Sequence, residues 1–540
     1  MPDTLESCYY PAMARTFRAV GAQFAAMFSY DMLATAPFNL GWQVHFLNLV
    51  TTPRKAVSAL IAAQVMKRVG RGESLGSYPA NTHFGNFRVS YEEDRSELNA
   101  PDAFLYSNTT QTVPVSPSAL RQIAGCGSSS LVSYEGQGAY FLDKIEDGLW
   151  RLELYPDAVL LSDPFLAPRA DKPVVRLLSR SWSMQIQLEE LGAEFHIEPL
   201  NAAAPPAQAK NGQFEAIPGV FMLRAASKTT PISLPDRLGN IGLREFVCPP
   251  CPDGVVDVLV SRPPEYVAHR AATFEVQVVS EAAPRTVTLW VRPEGDTVAC
   301  RFAMKPADGY AYRASVPADV MHKGTLAYWF EIQGETELRH PADRGETPAF
   351  VTVPVVEANA ELRLFNAQND SSRLDLSRAA LRLSNDAAPH FRFHLPSGDV
   401  PEDVTASLFI GERIAARSEA VRGAKFLMVR AKTETEKAVL HLTLVEKDGS
   451  AWSAALEVSP SHAEIIVPLS QLKPAKWAIL PQGYPGEWNY WVQSTRKRGK
   501  MRLENIERVQ FSLRKADYQG SGLLEAASGC GVESLSLVFD

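Results

Sequence analysis

Two stretches of this 540-residue chain carry residue types arranged for chemistry. In "MFSYDMLATAPFNLGWQVHFLN" (27–48), Asp31 closes an apolar run, and Trp42, Gln43, His45 and Asn48 follow it. A carboxylate at a strand end can hydrogen-bond a ligand hydroxyl or orient another group. An indole followed by amides can stack on a sugar ring and bind its hydroxyls. The same residues also have a structural reading, with Asp31 capping a turn and "WQVHFLN" packing its Trp and Phe inward. In "YPGEWNYW" (484–491), Tyr484, Trp488, Tyr490 and Trp491 crowd beside Pro485 and Gly486. Exposed, such aromatics form a platform for the apolar C–H face of a sugar ring. Folded back, they cover a sandwich end or meet a neighbouring domain. The basic run "RKRGK" (496–500) reads as a solvated hairpin tip or as a contact for acidic glycans.

The remaining candidates are weaker. Glu92, Glu93, Asp94 and Glu97 in "SYEEDRSE" read as a solvated loop face. Glu135 lies between two short apolar runs, and Gly136-x-Gly138 beside it is a hairpin or bulge signal rather than a phosphate cradle. "GCGSSS" (125–130) is not a G-x-S-x-G elbow. The ten histidines are scattered without an H-E-x-x-H, which argues against a zinc hydrolase. Cys248-Pro-Pro-Cys251 has redox spacing, but its prolines forbid the helix N-terminus that would activate a thiol. With no second C-x-x-C to complete a zinc site, it reads as a stiff linker between domains. The chemistry-bearing residues call for no cofactor and no metal.

The elements that must position these residues change character along the chain. Pro11 opens a helix through "AMARTFRAVG", "QFAAMFSYD" (Gln23–Asp31) has the pattern of a buried strand, and Thr52-Pro53 starts a second helix that stops before Gly70. From about Tyr78 the pattern is β. Short strands run through Leu131–Leu161 with a turn at Asp147-Gly148, and a second set spans about Val255–Val355 with a turn at Asp308-Gly309. Seven or so short strands in about 100 residues fit an immunoglobulin-like sandwich, with Trp290 and Trp329 expected in its core. Residues 357–540 form a third set with a turn at Asp448-Gly449, of a length that suits a jelly roll. The expected architecture is mainly β and multidomain, with a helical unit over 1–76, a β-sandwich over 77–247, an Ig-like or fibronectin-III-like domain over 248–356 and a jelly roll over 357–540.

Composition sets the outer bounds. A net charge of −7 argues against nucleic acid or an anionic membrane surface as a partner. No apolar stretch approaches the roughly 20 residues of a membrane span. "MPDTLESCYY" lacks the basic and apolar regions of a signal peptide.

"FSYDMLATAPFNLGWQVHFLNLVTTPRKAVSALIAAQVMKRV" resembles the last βα unit of the (β/α)₈ barrel in multidomain bacterial glycoside hydrolases. "FGNFRVSYEEDRSELN", "GYAYRASVPADV" and "VESLSLVFD" are similar in layout to the accessory β domains of such enzymes. The resemblance implies an incomplete barrel end followed by a β-sandwich, an Ig-like sandwich and a carbohydrate-binding-like jelly roll. It implies a polysaccharide or oligosaccharide ligand, with Asp31, Trp42, His45, Asn48, Tyr484, Trp488, Tyr490 and Trp491 as contacts. Glycosidic hydrolysis usually takes two carboxylates, which in such barrels come from earlier strands. The acid/base pair is then expected upstream of Met1, in a barrel segment or subunit that this chain would complete. Its catalytic residues and its status as an enzyme stay open. A periplasmic or secreted location would follow if the parent enzyme carries an upstream signal. The alternative is a non-catalytic glycan-binding or scaffolding protein; a third reading places a site near Glu135 or Glu92.

Overall fold

The computed structural model describes the chain apart from residues 1–5, 28, 42–45, 77–80, 166–168, 202–203, 229–233, 344–346, 378–379, 384–390, 395–403, 434–437, 461–462, 476, 480–490, 494–498, 515–516, 518–529 and 540. The architecture is mainly β, with many sheets and few helices. Among the described residues, no helix is long and apolar enough to cross a membrane.

Two helices, α1 (Tyr9–Ala19) and α2 (Pro53–Arg68), lie on one face of a ten-stranded sheet built mainly from residues 83–154 and 195–225. Strand alternation explains the layering. Ala103, Leu105, Ala124, Cys126 and Ala139 point to the helices and join Val57, Ile61 and Val65 in one core. Their neighbours Phe104, Tyr106, Ile123, Tyr140 and Leu142 point the other way, onto a three-stranded sheet that contributes Met184, Ile186 and Phe214. The helices and the following strands therefore share a hydrophobic core. Pro53 starts α2 where the sequence places it, but α1 begins at Tyr9, before Pro11.

The strand expected over Gln23–Asp31 is absent from the described residues. The segment's described residues pair with no sheet, and its large apolar side chains face solvent, Phe24 at 79% exposed, Met27 at 40% and Tyr30 at 57%, while Asp31 at its end is buried. An apolar run becomes a strand only when a partner edge accepts its backbone groups, and none lies alongside.

Residues 257–356 form a four-stranded and a six-stranded sheet packed face to face. Phe274, Val276 and Val278 meet Leu289, Val291, Phe330 and Ile332 between them. The expectation for Trp290 and Trp329 is corrected here. They alternate with Leu289, Val291, Tyr328 and Phe330, so period two sends both indoles to the outer face, half-buried.

From 362 to 539, two further six-stranded sheets enclose the largest core, including Leu364, Phe365, Leu442, Phe511, Leu535 and Leu537. Hairpins close at Gly148, Gly309 and Gly449, each with φ between 60° and 80°.

Buried polar clasps stitch these regions together. Asp157 accepts hydrogen bonds from the Trp182 indole N–H (2.6 Å), the Tyr310 hydroxyl (2.6 Å) and the backbone N–H groups of Gln137 (2.6 Å) and Gly138 (3.2 Å). Burial pushes its carboxyl up, and the four donors pull it back. Arg417, 2% exposed, pairs with Glu265 and donates to the carbonyls of Ala360 and Glu361. The Tyr91 hydroxyl donates to Glu507 at 3.2 Å, tying the first region to the last.

Candidate functional site

Asp31 and Asn48 come together, and each holds backbone groups of the other's segment. The Asp31 N–H donates to the Leu47 carbonyl (2.8 Å), and its Oδ2 accepts from the Leu47 N–H (2.7 Å). Asn48 Nδ2 donates to the Asp31 carbonyl (2.8 Å), and Asn48 Oδ1 accepts from the N–H of Val50 (2.8 Å). The Tyr30 hydroxyl accepts from Leu49 N–H at 2.8 Å. Asp31 is 2% exposed and Asn48 0%, so this clasp fixes the chain ahead of α2. Gly41 passes so close that a Cβ there would sit 2.6 Å from Asp31 Oδ1. Trp42, Gln43 and His45 lie outside the described residues, as do Tyr484, Trp488 and Tyr490; of Trp491 only the backbone is described, in a short strand.

The acidic loop is held by counter-charges. Glu93 pairs with Arg88 (3.1 Å) and Arg95 (2.8 Å), and Glu97 is buried against Arg95 (3.0 Å). Asp94 Oδ1 accepts from the N–H of Ser7 (2.6 Å) and Cys8 (3.3 Å), just ahead of α1. Glu135 is exposed. Cys248 and Cys251 are free thiols, half-buried near Phe46 and Tyr155, and burial pushes them up to about 12 and about 11. Among the described residues, no three His, Cys, Asp or Glu are grouped to hold a metal ion.

A different surface collects hydrogen-bonding side chains. In the sheet containing Val404–Phe409, Ile506–Leu513, Ala438–Glu446 and Ala451–Val458, residues Ala406, Leu408, Val509, Phe511, Leu442 and Leu444 enter the core. Their alternating neighbours form the other face, which is itself buried: Thr405 is 2% exposed, Ser407, Thr443 and Gln510 3%, and Ser512 and His441 8%. Register sets Asp375, Ser407, Gln510, Thr443 and Ser453 in one row, and Thr405, Ser512 and His441 in the next. Thr405 Oγ1 and Ser512 Oγ are 2.8 Å apart, Thr443 donates to Ser453 at 3.0 Å, and His441 Nε2 lies 2.6 Å from Asp517 Oδ2. The Ser407 hydroxyl is buried without a hydrogen-bond partner. At one margin, Phe409 is 39% exposed, with the Arg508 guanidinium 5.7 Å from its ring centre. Arg508 also donates to Asp375 at 3.3 Å; burial raises that carboxyl and Arg508 lowers it.

A two-stranded hairpin, Trp477–Ile479 with Trp491–Gln493, is tied to this face. Ala478 packs on Val445 and Ala451, and Val445 stands opposite Arg508 in the register. In sequence, residues 480–490 join the two strands and carry Tyr484, Trp488 and Tyr490. The rigid sheet thus brings hydroxyls, an amide, an imidazole and a guanidinium together beside the base of the aromatic-rich segment. Of these groups the Arg508 guanidinium beside exposed Phe409 is the one at the margin, where it can donate hydrogen bonds next to an aromatic ring. Sequence reasoning missed these polar rows, although their signal is present. "VTASLF", "HLTL" and "VQFSL" each alternate apolar residues with Ser, Thr, Gln or His.

No family model matches the chain, and no curated protein matches it. Three solved structures show slight likeness. PfGH50B aligns at 10% identity with a TM-score of 0.19, over 31% of this chain and 22% of its own. An exo-β-agarase aligns at 8% and 0.23, over 33% and 25%. A marsupial T cell receptor aligns at 10% and 0.14, over 54% and 97%. The chain thus spans about a quarter or less of the length of the first two. At these scores the likenesses carry no argument, and the chain's own residues decide its reading.

Proposed function

We propose that this chain is the C-terminal part of a polysaccharide-degrading glycoside hydrolase, supplying one wall of the active site and glycan-binding accessory domains. The observation that carries the reading is the margin of the C-terminal sheet where Phe409, 39% exposed, and the Arg508 guanidinium lie in the same strand row as Val445, on which the hairpin flanking residues 480–490 packs. An aromatic ring and a guanidinium held on strands are pre-positioned at low entropic cost, and neighbouring indoles supply the apolar contact that sugar rings need. In this reading Tyr484, Trp488, Tyr490 and Trp491 contact the glycan, and so do Trp42 and His45 in the N-terminal loop. Asp31 and Asn48 are positioning residues that hold that loop. The exposed apolar stretch around Phe24, Tyr30 and Met32 supports a chain that meets a further barrel segment, over a free-standing glycan-binding or scaffolding protein.

The test is affinity electrophoresis and calorimetry of the full chain against a panel of neutral polysaccharides. Wild type is expected to bind one class, and Phe409→Ala and Trp488→Ala to weaken it about tenfold, the loss of one good contact of about 1.4 kcal/mol. Unchanged affinity in both variants would remove the site. Hydrolysis by the pure chain would overturn the placement of the carboxylate pair elsewhere.

A further inference from the structure

The outer face of the six-stranded sheet between 266 and 356 carries an aromatic and cationic array separate from the C-terminal face. Trp290 and Trp329 stand directly opposite each other on neighbouring strands. Their rings are parallel to within 6°, with centroids 5.9 Å apart. Arg301 is the register partner of Trp290 on the far side and is exposed. Arg339 lies with its guanidinium carbon 5.1 Å from the Trp329 ring centre and is itself held by Asp343. In the adjoining row Arg292 lies 5.3 Å from the ring of Phe350, which is 42% exposed.

On the Arg292 and Arg301 side of the indoles this array is rich in donors, and Glu331, a carboxylate in the strand rows, lies on the opposite side. Arg292 and Arg301 make no ion pair among the described residues, and the Trp290 indole N–H is buried without an acceptor. Guanidinium and indole groups only donate. Thr325, Ala327 and Thr352 lie on the Arg292 side of the indoles, while Thr286, Thr288, Glu331 and Gln333 fill the rows on the opposite side. A protein partner would need roughly 800 Å² with several apolar anchors, and this face offers one indole pair and one phenyl ring. Its complement is a ring with an apolar face, a rim of acceptors and a negative charge.

We propose that Trp290 and Trp329, with Arg292 and Arg301, form a binding site for an acidic saccharide, a sugar bearing carboxylate or sulfate groups. The indoles take the C–H face of the ring, and the two free guanidiniums take its anionic oxygens. The site is independent of the C-terminal face, so each is tested by variants that leave the other intact.

The experiment is affinity electrophoresis and calorimetry of the full chain with a sulfated galactan, a polyuronate, neutral agarose and poly-glutamate, at low and high salt. Retardation is expected from one or both acidic polysaccharides, weakened by salt and absent with agarose. The sulfate and uronate arms distinguish the two sources of charge. Trp329→Ala and the pair Arg292→Glu with Arg301→Glu are each expected to weaken binding at least tenfold, while Trp488→Ala leaves it unchanged. Circular dichroism and thermal melting establish that each variant folds, and the charge-reversal pair serves if the Trp variant does not. No retardation by either acidic polymer overturns the proposal. Equal binding of poly-glutamate, or binding that survives the arginine reversal, does so too.

Discussion

Tyr310→Phe isolates a single hydrogen bond across two regions of the chain. The Tyr310 hydroxyl donates to Asp157 Oδ2 at 2.6 Å, and the ring is fully buried. Removing the oxygen leaves no stranded donor, and Asp157 keeps Trp182 Nε1 and two backbone N–H groups. The loss is therefore that of one bond to a charged acceptor, about 2 kcal/mol within the usual range of about 1.5–3. Asp157→Ala removes the common acceptor instead. It strands an indole N–H, a hydroxyl and two backbone donors, and at about 1–3 kcal/mol each the cost exceeds about 4 kcal/mol. The assay is urea unfolding followed by tryptophan fluorescence, analysed on the first transition because a chain of several cores need not unfold in one step. Proteolysis between Pro249 and Val256 reports independently on separation of the regions. The order expected is wild type, then Tyr310→Phe, then Asp157→Ala. A Tyr310→Phe loss below about 0.5 kcal/mol, the scale of an ordinary surface change, would refute the assignment of Asp157 as the acceptor that joins them.

Three further outcomes are expected. Arg417→Ala leaves half-buried Glu265 and the carbonyls of Ala360 and Glu361 without their donor and should cost about 2–3 kcal/mol in the transition of the C-terminal region, while Arg417→Met with Glu265→Leu restores much of it, as calorimetry would show. Burial raises Glu507 above the ordinary 4.5, so the folded chain holds that proton more tightly than the unfolded one. Its stabilising contribution is full below about pH 4.5 and is lost as pH rises through the raised value; Glu507→Gln should melt higher than wild type at pH 7.5 and converge with it near pH 4. Gly41→Ala would drive a methyl against Asp31 Oδ1, at 2.6 Å before relaxation. Faster amide exchange at Leu47 is the expected sign, and unchanged exchange would show that the clasp tolerates it.

The helix starting at Pro53 and the turns at Asp147-Gly148, Asp308-Gly309 and Asp448-Gly449 were legible because their determinants are local. Proline fixes φ, and glycine supplies the positive φ the turns require. The segment Gln23–Asp31 was misread because apolar composition reports burial potential, whereas a strand needs an edge to pair with, which sequence does not display. Trp290 and Trp329 were misassigned for a related reason. Bulk favours the core, but strand parity decides the face, and parity depends on the neighbours Leu289 and Phe330 that sit inside. For Asp31, the sequence showed a carboxylate at the end of an apolar run but not the backbone N–H of Leu47, sixteen residues on, that it holds. The polar rows around Ser407 and Gln510 were present as alternation in three separate strands, and only sheet order made them one buried face.

The clasp at Asp157 also bears on how such a chain could be reassembled by recombination. Its partners Trp182 and Tyr310 lie on either side of the Cys248–Cys251 segment. A crossover at that segment would import a new upper half without the matching hydroxyl, or a hydroxyl facing the wrong residue. Exchange of these regions between lineages therefore demands that Asp157, Trp182 and Tyr310 travel together, so the shuffling unit is larger than the linker would imply.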